Sequence, residues 1–304
     1  MTLQKKATVV SSITATVLII IKLTIGILSG SVAVLASAID SVLDLIISAF
    51  NYFAINKSEQ PADETFNYGK GKIEALAAVI EGTVITMSGL FILYQAIKKA
   101  YVGDETTLLG SSILVMAISL VITIALVMYL NYVAKKTNSM VIRSDALHYK
   151  TDVLSNGAIL ISLVLIYSTG LHLIDAIMGV IISIYIIYSA YEIIKEGVYV
   201  LLDAALSEEI VKDIKNIIES EKQISDYHYL KTRRSANTNF VDVHLVFNDG
   251  ISLLKAHSLG DKIEDKIAMI SSNEEWVINV HLDPYDDSII NDQGYSSQGE
   301  NPLN

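Results

Sequence analysis

The stretch 31–55, SVAVLASAIDSVLDLIISAFNYFAI, is long enough to cross a bilayer as a helix and almost wholly apolar, yet it carries Asp40 and Asp44. A spacing of four residues puts both carboxylates on one helical face, a turn apart. Even on the lenient insertion scale an ionised carboxylate in hydrocarbon costs about 2.5–3.5 kcal/mol, so two of them require compensation. Structural hydrogen bonds near a helix end would supply it, as would a cation site completed by another helix.

The rest of the chain supports a membrane setting. Of its 304 residues 52% are hydrophobic and 18% charged, and the mean hydropathy is +0.46. This is the composition of a polytopic membrane protein with a modest soluble part. There is no cysteine, so disulfides and thiolate metal sites are excluded. The net charge of −11 argues against nucleic acid and against a tail that binds anionic lipid. The first apolar run reads as a span, not as a cleavable signal peptide.

Runs of about spanning length lie near 7–28, 32–55, 75–101, 110–134, 140–168 and 173–201, which predicts six transmembrane helices. An even number leaves both termini on one side of the membrane. Lys5, Lys6, Lys57, Lys70, Lys72, Lys135, Lys136 and Arg143 all fall on that side, against Lys98 and Lys99 opposite, so the termini are expected in the cytoplasm.

Beyond Leu202 the pattern changes. Residues 207–222 form an amphipathic helix with Ser207 as N-cap, 227–234 and 239–247 alternate like strands, 252–271 is a second amphipathic helix, and 276–282 a last strand. The order αββαβ predicts a small α+β domain. The expected boundaries are a six-helix membrane domain over 1–205, an α+β domain over 206–285 and a disordered acidic tail over 286–304.

The fifth span opens with Asp145, His148 and Asp152, which spacings of three and four place on one face. His148 and Asp152 together with Asp40 and Asp44 make one imidazole and three carboxylates. Such a set suits tetrahedral Zn²⁺, whereas all-oxygen ligands would favour Mn²⁺ or Mg²⁺. For either pair alone, a structural hydrogen bond at a helix end remains a rival. The soluble part holds four of the six histidines, His228, His244, His257 and His281, with Asp283 on the same strand face as His281. Four in so short a segment read as a metal cluster.

These residues resemble the cation diffusion facilitator family of divalent-metal/proton antiporters, in its bacterial zinc and iron efflux branch. The resemblance rests on SVAVLASAIDSVLDL, PADETFNYGKGKIEALAA, SDALHYKTDVLSNGAIL, LLDAAL and HLDP, and it covers about residues 5–285. It implies six membrane helices, a metallochaperone-like cytoplasmic domain and a homodimer in the bacterial cytoplasmic membrane. It also implies roles by position. Asp40, Asp44, His148 and Asp152 correspond to the transport site. His228, His244, His257, His281 and Asp283 correspond to a cytoplasmic binuclear site bridged by Asp283. Lys72 and Asp203 correspond to a salt bridge near the dimer axis. Asp63 corresponds to a ligand of an accessory loop site, but Phe66 and Lys70 stand where that site has histidines, so it is expected to be lost or weakened. Leu282 stands where relatives can carry a polar ligand.

The expected function is export of Zn²⁺, or of Cd²⁺ or Fe²⁺, in exchange for protons by alternating access. Protons and metal compete for the same ligand atoms, and an unperturbed imidazole titrates near about pH 6.5. Asp145 is a candidate proton relay or an acceptor that orients His148. Lys22 is read as snorkelling or pairing with an acid, Glu81 as a structural hydrogen bond or an accessory proton site, and Asp175 as a helix cap. A membrane metalloprotease would show HExxH, which does not occur. A non-transporting metal sensor and a Mn²⁺ or Fe²⁺ exporter are the alternatives.

Overall fold

The computed structural model describes residues 1–29, 32–102, 110–169, 173–248, 250–271 and 274–285. The expected acidic tail and His172 lie outside these residues, as does the Asp175 side chain. The chain divides into two compact units, Met1–Leu201 and Leu202–Asn304.

The first unit holds α1 (Leu3–Ser29), α2 (Val32–Ser58), α3 (Lys72–Val102), α4 (Gly110–Thr137), α5 (Met140–Thr169) and α6 (Leu173–Leu201). Among the described residues, five helices are long and apolar enough to cross a bilayer. The sixth, α5, is 30 residues long. Arg143, Asp145, His148, Lys150 and Asp152 occupy its first half. The least apolar span is thus the one that carries the candidate chemistry.

Burial in this unit is inverted relative to a soluble protein. Large apolar side chains such as Ile13, Ile20, Leu43, Ile46, Phe91 and Met128 point outward, while Ala7, Ser11, Ala15, Ser48 and Ala78 are buried. Small residues inside let helix backbones approach closely, as packing within lipid requires. At Gly197 of α6 a Cβ would come within 2.5 Å of Val79 Cγ2 and 3.1 Å of the Ala75 carbonyl oxygen, so only glycine admits α3 at that distance. Inside the helices, hydroxyls return to the carbonyl four residues back, as in Thr83 to Val79, Thr123 to Ser119 and Thr151 to Leu147. Each is thereby satisfied without water. The α4–α5 connection turns at Asn138, whose φ of 51° is left-handed and tolerated by asparagine. Ser139 then accepts the Ile142 N–H and donates to Glu74 of α3, fixing where α5 begins.

The second unit contains α7 (Glu208–Glu219), β1 (Ile224–Ser235), β2 (Thr238–Phe247), α8 (Leu253–Ala268) and β3 (Glu275–Asp283). The αββαβ order agrees with the sequence pattern, with β1 starting three residues earlier than the alternation indicates. The sheet order is β1-β2-β3, with β2 antiparallel to β1 and parallel to β3. Ser207 and Ser252 cap the two helices by accepting the N–H groups of Ile210 and Lys255. Ile214, Ile218, Ile263 and Ile267 pack with Val241, Val243, Leu245 and Phe247 of β2. Alternation along β2 therefore turns His244 to the opposite face of the sheet. A bulge in β1 between His228 and Lys231 centres on Tyr229, which is left-handed at φ 54°. Because of it, Tyr227 and Leu230 both reach the core although three residues apart.

Candidate metal centres

In the helical unit, α2 and α5 bring their polar faces together around a cavity of about 80 Å³. One ligand atom each from Asp44, His148 and Asp152 lies within 4.8 Å of the other two. His148 Nε2 is 3.1 Å from Asp44 Oδ1. Zinc bonds of about 2.0–2.2 Å in a tetrahedron hold neighbouring ligand atoms about 3.3–3.6 Å apart, so this pair, slightly closer, already stands near the spacing of a shared ion. Asp40 lines the same cavity but stays outside the close grouping of three. Asn156 Nδ2 donates to the Asp152 carbonyl oxygen at 2.8 Å, and Ser48 Oγ meets Tyr149 Oη at 3.1 Å, which ties α2 to α5 beside the site.

Of the two readings of Lys22, the structure agrees with pairing to acids. Its ammonium does not snorkel outward: it is buried, lines the cavity, and donates to Ser41 Oγ at 2.7 Å and the Ser37 carbonyl at 3.2 Å. It interacts electrostatically with Asp44, Asp152 and Asp40. Three ionised carboxylates, one ammonium and a neutral imidazole carry a net charge of −2, which one divalent cation neutralises. The signal was available in the sequence, since a lysine in mid-span needs an anion nearby.

Asp145 is fully buried, and its hydrogen bond comes from Ser11 Oγ at 2.8 Å. Glu81 is buried too and accepts from Asn51 Nδ2 at 3.2 Å. Lys72 donates to the Leu201 carbonyl at 3.2 Å, and Asp203, left-handed at φ 57°, lies 3.6 Å from Arg233 Nη1. In the loop between α2 and α3, Asp63 Oδ1 accepts the Thr65 and Phe66 N–H groups at 2.9 and 2.8 Å, and Oδ2 accepts from Lys70 Nζ at 2.7 Å. The hydrogen-bonding Lys70 ammonium, helped by the Phe66 amide, holds the Asp63 carboxyl below its ordinary range. A tethered cation thus stands against the carboxylate that the resemblance assigns to a loop metal.

The α+β unit holds a second group. The strand register pairs His228 with His244 and His244 with His281, so three imidazoles form one row across the sheet on the face away from α7 and α8. Asp283, two residues on from His281, is 5% exposed and sits at their focus. Its Oδ2 lies 2.9 Å from His244 Nδ1 and 3.4 Å from His228 Nε2, and its Oδ1 lies 3.1 Å from His281 Nε2. Two oxygens facing different histidines are what a carboxylate bridging two ions offers. His228, His244 and Asp283 likewise each offer a ligand atom within 4.8 Å of the other two. His257 does not join them: its side chain is 70% exposed and 3.7 Å from Asp261, one turn along α8.

Six helices that bring two carboxylates and an imidazole together, followed by an αββαβ unit with its own histidine cluster, suit a membrane transporter of divalent cations. A family model of the cation efflux transmembrane domain matches residues 8–202, and one of the cation efflux protein cytoplasmic domain matches 206–285. The chain belongs to the cation diffusion facilitator family, and so is an integral membrane transporter and not an enzyme. It is 37% identical over 282 residues to the cation-efflux pump FieF of Klebsiella pneumoniae subsp. pneumoniae, covering 93% of each chain. It is 36% identical over the same length, with the same coverage, to the FieF pumps of Citrobacter koseri and Escherichia coli.

Proposed function

We propose that this transporter exports Zn²⁺ from the cytoplasm in exchange for protons, with Asp40, Asp44, His148 and Asp152 as the transport ligands. The observation that carries the reading is the convergence of ligand atoms of Asp44, His148 and Asp152 from two helices, beside a small cavity that Asp44 and Asp152 line. Metal requires a neutral imidazole and ionised carboxylates, so protons arriving from an acidic exterior displace it. The protonated site then returns inward, which is alternating access and not a pore. Both termini and the αββαβ unit lie in the cytoplasm of a bacterium, by the lysine and arginine asymmetry of the loops. Lys22 keeps the loaded cavity neutral, which lowers the cost of moving it through the bilayer.

The row His228–His244–His281 with Asp283 acts as a cytoplasmic metal site that stabilises a homodimer as metal rises, and Lys72 with Asp203 braces the dimer axis. His244→Ala and His281→Ala should leave dimer stability independent of metal; a metal-dependent dimer in both would remove this role. The oxygen-rich transport set also favours a second reading, in which Fe²⁺ or Mn²⁺ is the main cargo. Flux into proteoliposomes with each ion in turn separates the two readings, and flux of none refutes both.

A further inference from the structure

A second polar group lies inside the helical unit, apart from the metal cavity. Glu81 of α3, Asn51 of α2, Asp145 of α5 and Ser11 of α1 are all buried, at 3%, 0%, 0% and 0% exposure. None of the four lines the cavity. Asn51 Nδ2 donates to Glu81 Oε2, and Ser11 Oγ to Asp145 Oδ2. Among the described residues, three further buried acceptors of the group have no partner: Glu81 Oε1, Asp145 Oδ1 and Asn51 Oδ1. The Ser144 hydroxyl, on the residue before Asp145, is buried beside Glu81.

The group is short of a donor. Two ionised carboxylates here would be held only by neutral hydrogen-bonding groups, Asn51, Ser144 and Ser11, in an interior where an uncompensated charge is strongly disfavoured. The charged groups acting on Glu81 are Asp145 and His148, both on α5; α2 presents neutral Asn51. Where α6 packs, at Gly82, it presents Ala190 and Ile194, and α1 brings Ser11 to Asp145. His148 is the one group among these able to become cationic, and metal holds it neutral. Neither acid hydrogen-bonds to a transport ligand among the described residues. A proton on one carboxyl converts an orphan acceptor into the missing donor, facing acceptors left open for it.

We propose that Glu81 and Asp145, steadied by Asn51, form a proton-binding site separate from the metal ligands, which holds one proton while the metal site is loaded. Its part in coupling rests on the proton-exchange reading above; its occupancy does not.

Infrared difference spectroscopy of the full-length protein in lipid, saturated with Zn²⁺ at neutral pH, tests it. The metal keeps its own ligands ionised, so a carbonyl stretch from an un-ionised carboxylic acid, shifted in D₂O, is expected from this pair. It should vanish in Glu81→Gln or Asp145→Asn. Glu81→Gln should also shift the pH of half-maximal Zn²⁺ flux by about one unit while leaving Zn²⁺ affinity within about threefold. A zinc-saturated wild type without the band, or a band that survives both substitutions, overturns the proposal, and the wild-type spectrum decides even if neither variant folds. Flux indifferent to pH in the wild type would instead overturn proton exchange, with the band still expected.

Discussion

Asp283→Asn is the sharpest perturbation of the cytoplasmic cluster, because a single side chain there faces three imidazoles at 2.9, 3.1 and 3.4 Å. The amide keeps the shape but removes the charge and one acceptor. Hydrogen bonds to charged groups contribute about 1.5–3 kcal/mol each, so the metal-free domain should lose about 1–3 kcal/mol. The larger effect is on linkage. Zn²⁺ at about 100 times its Kd stabilises the wild-type domain by about 2.7 kcal/mol. For a domain of roughly 80 residues, that raises Tm by about 10–20 °C. Trp276 is the only tryptophan in the chain and lies on β3, packed on the core of this same domain. Tryptophan fluorescence of the full-length protein in detergent therefore follows this domain alone. In Asp283→Asn the zinc-induced rise should shrink to less than about a third of the wild-type value. A rise of wild-type size would refute the bridging assignment.

Three other outcomes follow. Lys22→Met removes the ammonium from the transport cavity. For charges on the order of 8 Å apart at an effective dielectric near 20, that is about 4 kcal/mol for a divalent ion before screening. Zn²⁺ affinity by calorimetry should tighten at least about tenfold and efflux should slow, with Lys22→Arg nearer wild type. Gly197→Ala places a methyl against Val79 and the Ala75 carbonyl. It should destabilise the α3–α6 packing by about 1–3 kcal/mol, read as faster hydrogen exchange in both helices. Glu221 accepts from Lys262 Nζ at 2.5 Å, which depresses its carboxyl. A depressed carboxylate contributes stability above its unfolded pKa and loses it as pH falls through the folded one. Lys262→Met should therefore cost about 0.2–1 kcal/mol at pH 7 and nothing at about pH 3, measured by Trp276 fluorescence during unfolding.

The helical fold was legible because a bilayer permits few solutions: long apolar runs with short breaks can only be spanning helices. Pairs four residues apart gave the faces of α2 and α5 directly, so Asp44, His148 and Asp152 could be predicted to meet. Register was less visible. That His228, His244 and His281 stand in one row depends on the Tyr229 bulge and on β3 running parallel to β2, and no local pattern encodes either. His257 looked equivalent to the other histidines in sequence, but its place on α8 leaves it beside Asp261. Lys22 and Glu81 stand out in sequence as mid-span charges, but the residues they hydrogen-bond, Ser41 and Asn51, lie on another helix. Spacing within one helix does not reveal such contacts.

The most direct test of the central claim is Zn²⁺ flux in proteoliposomes under an imposed pH gradient. The wild type should move Zn²⁺ against protons, and Asp44→Ala and His148→Ala should each abolish that movement in protein that remains folded. Flux that ignores the gradient, or that persists at wild-type rate in either variant, would contradict proton-coupled zinc export through this cavity.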